Sequence, residues 1–196
     1  MKSVYNFVVT PIKNRYNNTK DIDGKELIVN TEIYSHQYVN RQAIVLSTPI
    51  IGDTNIKAGD TVVVHHNVFR RWHNQYGLEK NSRSYFNEST YFINQDQIFL
   101  YKRNNNWIAP KGYCFVKPLK AVNKFNIDQE KPLQGVVKYS DRTVEVNELV
   151  GFKPNSEYEF IVDGERLYRV LSKFITIKYE YQGDEEEYNP SWAESS

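Results

Sequence analysis

Histidine and cysteine are the residue types with the most chemical potential in this chain, and both are sparse. His65 and His66 are adjacent at the end of a run of β-branched residues, and His73 follows shortly after them. Neighbouring residues of a β-strand point to opposite faces, so this pair is poorly placed to bind one metal ion. Cys114 lies in the apolar segment GYCFV, which favours a buried apolar side chain over a nucleophile. We therefore expect no metal site and no cofactor.

The common catalytic motifs are missing from the sequence. It contains no Ser-His-Asp elbow, no P-loop, no dinucleotide-binding glycine pattern and no HExxH motif. The sequence does not give the spacing of carboxylate pairs in the fold, so such pairs are no evidence for an enzyme. The sequence therefore predicts a binding protein and not an enzyme.

One segment, FRRWHNQY, combines positive charge with aromatic rings at Arg70, Arg71, Trp72 and Tyr76. Such a mixture can bind single-stranded nucleic acid through its phosphates and stacked bases. The chain is close to neutral, however, with a formal charge of +1 from 25 basic and 24 acidic residues, so no global field attracts nucleic acid. We expect this loop to pack on its own domain or to contact another subunit, and we do not expect a nucleic-acid partner.

Cysteine usage and hydropathy indicate the compartment. A single cysteine cannot form an internal disulfide, which fits a reducing environment. The first residues are too short in apolar content for a signal peptide, and no later segment is long enough to span a membrane. We expect a cytoplasmic protein with no membrane partner; for a viral chain this means the host cytoplasm or the virion.

The composition predicts an all-β fold. Fifteen Tyr and ten Phe favour strands, and no apolar pattern of helical period lasts for three turns. Short apolar runs separated by Gly, Pro, Asn or Asp predict ten strands. These are Tyr5–Thr10, Ala43–Thr48, Thr61–His65, Tyr91–Asn94, Gln97–Tyr101, Gly112–Val116, Gly135–Tyr139, Tyr158–Val162, Leu167–Leu171 and Phe174–Tyr181.

Four segments of the first half have similar segments, in the same order, in the second half. The pairs are FVVTPIK (7–13) with FVKPLK (115–120), QAIVLSTP (42–49) with QGVVKYSD (134–141), IKAGDTVVV (56–64) with FKPNSEYEFIV (152–162), and YFINQDQIFLYK (91–102) with YRVLSKFITIKY (168–179). Four pairs in register predict a tandem duplication. We therefore expect domains at residues 1–106 and 107–181, followed by a solvated, disordered acidic tail at 182–196.

The first half is longer than the second in two places. A polar loop spans residues 14–41, and an insertion spans residues 67–90. A small β domain needs neither for stability, so function specific to the first half is expected in these two segments.

The order of these segments resembles that of the GroES-type co-chaperonins. Their subunit has an N-terminal strand ending in a proline and a lysine, a long mobile loop, a strand of GEVLAVG type, a VKVGDIVIF turn and a strand of ESDILAIVE type. The matching segments here are FVVTPIK, the loop 14–41, RQAIVLSTP, IKAGDTVVV and NQDQIFLYK. Lys57, Gly59, Asp60 and Val62 match the family's turn most closely. The resemblance implies two tandem small GroES-like β-barrels.

The resemblance also implies a function. In this family the mobile loop docks a short aliphatic segment onto a chaperonin ring. The corresponding residues are Leu27, Ile28 and Val29, which follow Gly24. Lys25 and Glu26 stand where the family usually has two small residues. The resemblance therefore implies a co-chaperonin-like homo-oligomer that assists protein folding.

Two alternatives stay open from the sequence. Leu27, Ile28 and Val29 could form a strand covered by its neighbours, with no partner. The chain could also be a bacteriophage structural or assembly protein of the capsid, neck or tail, which would bind other virion proteins through its loops. The Asn, Lys, Ile and Tyr bias is compatible with a phage genome.

Overall fold

The structure, a computed structural model, describes residues 2–16, 19–22, 25–28, 39–121, 130–180, 183 and 185–194, with backbone alone at 19–22, 26–28, 192 and 194. It is all-β with antiparallel pairing. The strands are β1 Phe7–Pro11, β2 Thr19–Ile22, β3 Lys25–Ile28, β4 Gln42–Ser47, β5 Thr61–Val64, β6 Arg71–His73, β7 Glu79–Asn81, β8 Tyr85–Asn87, β9 Thr90–Ile93, β10 Ile98–Arg103, β11 Asn106–Ile108, β12 Tyr113–Lys120, β13 Glu130–Ser140, β14 Leu149–Phe152, β15 Glu157–Val162, β16 Glu165–Leu171 and β17 Ile175–Tyr179. A short helix α1 spans Ser191–Glu194.

The chain divides into two compact units, Met1–Asn106 and Trp107–Ser196. A seven-stranded sheet has the order β11-β10-β5-β4-β1-β9-β8, and a six-stranded sheet in the second unit has the order β15-β16-β12-β13-β14-β17. Two further hairpins, β2-β3 and β6-β7, form two-stranded sheets of their own in the first unit. The hairpins lie in the loop 14–41 and in the insertion 67–90.

The hydrophobic pattern explains which strands are covered on one face and which on both. In β4 the side chains of Ala43 and Val45 are buried while Ile44 and Leu46 are exposed, as expected for a strand with one solvent face. The three valines of β5 are all buried, which fits a strand covered on both sides.

The two units repeat one strand order. The sequence β10-β5-β4-β1-β9-β8 in the first unit corresponds to β17-β14-β13-β12-β16-β15 in the second. The register agrees residue by residue, because Val9 pairs with Val45 and Tyr91, while Val116 pairs with Val137 and Tyr168. A bulge also interrupts β1 and β12 at the corresponding step. One 3-10 turn precedes β10, and another precedes β17.

This register places three of the four predicted segment pairs at corresponding positions, but the third pair is wrong. The segment 152–162, predicted to match IKAGDTVVV, covers β15, whose counterpart is β8. The counterpart of β5 is β14, and it follows the segment VEVNE at 144–148. The Gly59-Asp60 turn therefore corresponds to Asn147-Glu148, and not to Asn155-Ser156.

Backbone hydrogen bonds identify this equivalence directly. Gly59 N–H donates to Val45 O at 2.7 Å, and Asn147 N–H donates to Val137 O at 2.8 Å. Both turn residues have a positive φ, +91° for Gly59 and +70° for Asn147. Asparagine is among the residues that tolerate this left-handed conformation, which is why it replaces glycine here.

Neither large sheet closes on itself within the described residues. Each ends at two different edge strands, β11 and β8 in one sheet and β15 and β17 in the other. The sheets are therefore open in this structure, where the sequence resemblance predicts barrels.

The described part of the acidic tail is ordered against the second unit, which corrects the expectation of a solvated, disordered tail. Glu187 forms an isolated bridge with Leu119, and Lys120 N–H donates to Glu186 O at 2.8 Å. Ala193, in α1, is fully buried. Residues 185–194 thus lie along the end of β12, where Lys120 pairs with Glu186 and Lys138 of β13 pairs with Glu187.

Among the described residues, no helix combines the length and the apolar character that a bilayer crossing needs.

Candidate partner-binding site

The two ends of the loop 14–41 are joined by backbone contacts at its base. Tyr16 and Val39 form an antiparallel bridge, and Asn40 N–H donates to Arg15 O at 2.9 Å. All four residues are buried. The loop therefore leaves the first unit from a fixed and closed base.

Asn40 strengthens this base with its side-chain amide. Its Nδ2 donates to Ile12 O at 2.6 Å and to Asn14 O at 2.8 Å, and its Oδ1 accepts from Gln42 N–H at 2.8 Å. One buried side chain thus satisfies backbone groups on both sides of the loop base. An asparagine is suited to this position because its amide both donates and accepts.

The loop contains the hairpin β2-β3. Thr19 pairs with Ile28, Lys20 with Leu27, and Ile22 with Lys25. The sequence between Ile22 and Lys25 is Asp-Gly, a pair that favours two-residue hairpin turns. Of the four residues predicted to bind a partner, Leu27 and Ile28 therefore belong to β3, while Gly24 and Val29 lie outside the described residues.

The insertion 67–90 contacts the loop base through Arg15. The guanidinium of Arg15 donates from Nε to Phe69 O at 3.3 Å and from Nη2 to Asn81 Oδ1 at 2.8 Å. The Arg15 side chain is 8 % exposed, and its Nη1 also lies 3.5 Å from the exposed carboxylate of Glu88. One arginine at the start of the loop therefore connects to three points of the insertion.

Aromatic rings complete the pocket around Arg15. Its guanidinium carbon lies 5.1 Å from the ring centre of Tyr85 and 5.6 Å from that of Tyr91. Burial raises the pKa of Tyr91 to about 12, although the positive charge of Arg15 opposes the shift. Tyr91 therefore stays neutral at physiological pH and acts as a packing surface for the cation.

A second contact joins the loop base to the hairpin β6-β7. Arg71 N–H donates to the hydroxyl of Tyr16 at 2.7 Å, and the Arg71 guanidinium lies 5.1 Å from the Tyr16 ring centre. Arg71 also approaches Glu79 at 3.4 Å across the hairpin. The hairpin and the loop base thus form one connected cluster.

The four residues predicted as a subunit-contact loop divide into two groups. Arg70 and Arg71 are half-buried, and Arg71 serves the loop base. Trp72 and Tyr76 are exposed. The aromatic members of the predicted set are therefore available to a partner, whereas Arg71 has an internal role.

Sequence reasoning missed the residues that join the two insertions. Arg15, Tyr16 and Asn40 lie at the boundaries of the segment 14–41, where the repeat comparison stops, and Asn81 lies inside the insertion 67–90. No local pattern of the sequence encodes that these polar residues are buried and therefore require partners, so no sequence signal identifies them.

The second unit has a related cluster at the corresponding strand. Tyr168 corresponds to Tyr91, and Arg166 lies 4.9 Å from the Tyr168 ring centre. Arg166 also donates to Glu130 at 2.5 Å and to Glu159 at 2.8 Å. Burial, together with a hydrogen bond to Glu130, raises the pKa of Tyr168. An arginine packed on this tyrosine is thus a shared feature of both units.

The arrangement of His65 and His66 differs from the expectation that these two adjacent residues point to opposite faces of a strand. The rings of His65 and His66 are 4.2 Å apart, since both follow the end of β5 and are not alternating strand residues. Within the described part of the chain, no group of three or more His, Cys, Asp or Glu side chains is arranged to hold a metal ion. Cys114 is fully buried, and burial raises the pKa of its thiol.

The chain was compared with protein-family models and with curated proteins, and neither comparison gave a match.

Proposed function

We propose that the chain is a co-chaperonin-like protein of two tandem GroES-like β modules, which binds a chaperonin ring through the loop 14–41. The observation that carries this proposal is the loop itself. It leaves β1 and returns to β4 from a closed base, and Leu27 and Ile28 belong to its hairpin β2-β3. The repeated strand order supports two modules of one type.

The free energy of binding requires that several loops bind together. Burying three aliphatic side chains gains about 1.5 to 3 kcal/mol each, whereas ordering a loop residue costs about 1 to 2 kcal/mol. One loop therefore binds weakly by itself. A homo-oligomer that presents several loops turns the later contacts into intramolecular ones and gains affinity from that.

A substitution in the loop tests this proposal. Ile28→Asp places a charge where an apolar groove of the ring would have to desolvate it, so binding to a purified chaperonin ring with ATP is lost. The matched control is Leu46→Asp, at an exposed aliphatic residue of β4 in the same unit and outside the loop. Equal binding by Ile28→Asp and the wild type would contradict the role of the loop.

The second candidate is a bacteriophage structural or assembly protein. A surface cluster favours it: Ile50 and Ile51 are exposed, and their N–H groups donate to Ser3 O at 3.1 Å and Val4 O at 2.9 Å. With exposed Val4 beside them, they form an apolar edge suited to subunit contact. A stable assembly that ignores the chaperonin ring would favour this candidate.

A further inference from the structure

The hairpin β6-β7 has two faces with different chemistry. Its cross-strand pairs are Arg71 with Asn81, Trp72 with Lys80 and His73 with Glu79. The hydrogen bond from Asn74 N–H to Leu78 O at 3.0 Å extends the ladder by one pair. Because side chains alternate between the faces of a strand, every second pair shares a face.

The inward face holds the hairpin to the loop base. It contains Arg71, whose guanidinium packs on the Tyr16 ring, and Asn81, whose side chain accepts from Arg15. These contacts fix the position of the hairpin relative to the loop 14–41. They leave the opposite face directed away from the loop base.

The outward face is apolar and carries one positive charge. Trp72 is 45 % exposed and Leu78 is 59 % exposed, and Lys80 lies opposite Trp72. Tyr76, at the tip, is 76 % exposed. Tryptophan and tyrosine are enriched among the residues that dominate protein–protein binding energy.

Hydrogen bonds within the hairpin hold its tip in the unbound chain. Asn74 Oδ1 accepts from the N–H groups of Tyr76 and Leu78, both at 3.0 Å. Gly77 supplies the positive φ, +74°, that this turn requires. A partner therefore meets a preorganised surface, and little backbone entropy is lost on binding.

We propose that the outward face of the β6-β7 hairpin, formed by Trp72, Tyr76, Leu78 and Lys80, is a second docking surface for the partner that binds the loop 14–41. It fits an apolar protein site bordered by carboxylates, because the one charged residue on this face is Lys80. The identity of the partner as a chaperonin ring rests on the proposed function. The ordered hairpin supplies binding energy without the ordering cost that weakens the loop.

The double variant Trp72→Ser with Leu78→Ser tests this surface, with a purified chaperonin ring and ATP as the probe. Its affinity for the ring is expected to fall at least about tenfold, with an unchanged melting temperature and oligomeric state. The matched control is Ile44→Ser with Leu46→Ser, two exposed residues of one face of β4 in the same unit. The control is expected to bind like the wild type.

A charge reversal tests the carboxylate border separately. Lys80→Glu is expected to weaken ring binding and to reduce its dependence on salt, because the attraction between opposite charges is removed. Lys2→Glu, a charge reversal elsewhere in the first unit, is expected to change neither quantity.

The outcomes separate the inference from the proposed function. If the Trp72→Ser and Leu78→Ser double variant binds like the wild type while Ile28→Asp does not bind, the docking surface is refuted and the co-chaperonin proposal stands. If the wild type itself does not bind the ring, both are refuted. Weakened binding by the hairpin variant, with an unaffected β4 control, supports the second surface.

Discussion

Asp60 connects its own turn to β10 of the first unit through a single carboxylate. It accepts from Lys57 N–H at 2.8 Å and from the Arg103 guanidinium at 2.5 and 3.0 Å. Burial of the Asp60 carboxyl raises its pKa, but the bonds from Arg103 and Lys57 outweigh burial, and the net pKa is lowered. The charged form is thus favoured in the folded state.

The stability of the first unit is expected to depend on Asp60 in acid. An aspartate in the unfolded chain titrates near about 3.9. Because the folded pKa is lower, the stabilisation is complete above that value and is lost as pH falls through the folded pKa. Asp60→Asn should lower the free energy of unfolding at pH 7 by about 1–3 kcal/mol and flatten its acid dependence.

Urea unfolding at a series of pH values measures both effects. Asp53→Asn, a change at an exposed residue close to this turn, is the control and should retain the acid dependence. An Asp60→Asn variant with the acid dependence of the wild type would show that the Arg103 contact does not stabilise the fold.

Tyr16 has a measurable role at the base of the loop. Tyr16→Phe removes the hydroxyl that accepts from Arg71 N–H, and an unsatisfied buried donor costs about 1–3 kcal/mol. We expect faster amide hydrogen exchange at Arg71 and a lower melting temperature. Tyr5→Phe, at an exposed tyrosine of the same unit, should change neither. Unchanged exchange at Arg71 in the Tyr16 variant would exclude this contact.

Some of the residues that hold the fold together could be identified from the sequence, and others could not. It identified Gly59 and Asp60 as a turn because that pair has distinctive turn chemistry. It missed Asn147 and Glu148, because these residue types occur in many contexts. It also missed Arg15, whose partners lie far away in sequence and are brought close only by folding.

At the scale of elements, strands with β-branched and aromatic runs could be predicted, and others could not. All ten predicted runs overlap strands of the structure. β14 was missed because Gly151 interrupts a four-residue run, and glycine weakens the strand signal. The hairpin β6-β7 was missed because each of its strands has three residues and Trp72 is the one apolar residue among the six. Its position depends on contacts with the loop base.

Exchange of their residues should destabilise the protein at both of the corresponding positions Ala43 and Gly135, but for different reasons. Both pair with a proline, Pro11 in β1 and Pro118 in β12. A Cβ at Gly135 would collide with the backbone oxygen of Lys117 and with Val116. Gly135→Ala should therefore destabilise the protein by about 1–3 kcal/mol, as measured by urea unfolding.

The reverse change provides the comparison. Ala43 is fully buried in β4, so Ala43→Gly removes a packed methyl group and should cost about 0.5–1 kcal/mol. A neutral Gly135→Ala variant would contradict the close approach of β12 and β13 at this position.

The docking of the tail depends on Asn189. Its Oδ1 accepts from Lys117 Nζ at 2.9 Å and from Arg166 N–H at 3.0 Å, and its Nδ2 donates to Gly164 O at 3.1 Å. Asn189→Ala should release the tail, so that limited proteolysis after residue 184 becomes faster. Glu186→Gln, which weakens an exposed ion pair with Lys120, should have little effect. Equal proteolysis of the Asn189 variant and the wild type would contradict this docking.

The tail illustrates why non-local contacts escape sequence analysis. A run of acidic residues usually indicates a solvated segment. Here the cations that neutralise it, Lys120 for Glu186 and Lys138 for Glu187, belong to β12 and β13. Their proximity follows from the path of the chain after β17, which no local pattern encodes.

For the whole molecule, the repeated strand order relates the architecture to the proposed function. Two units with the same strand order, and with a bulge at the corresponding step of β1 and β12, present different surfaces, because the loop 14–41 and the insertion 67–90 are joined through Arg15 and Tyr16 in the first unit. The repeat could be recognised in the sequence because similar β-strand segments occur in the same order in both halves of the chain. That the described sheets are open could not be recognised in the sequence, since closure of a sheet depends on which edge strands pair.

Sedimentation of the purified protein, alone and mixed with a chaperonin ring with and without ATP, tests the central claim most directly. The account predicts an oligomer that co-sediments with the ring when ATP is present. A strict monomer that stays separate from the ring under both conditions would contradict it, because one loop alone lacks the affinity that the proposed mechanism requires.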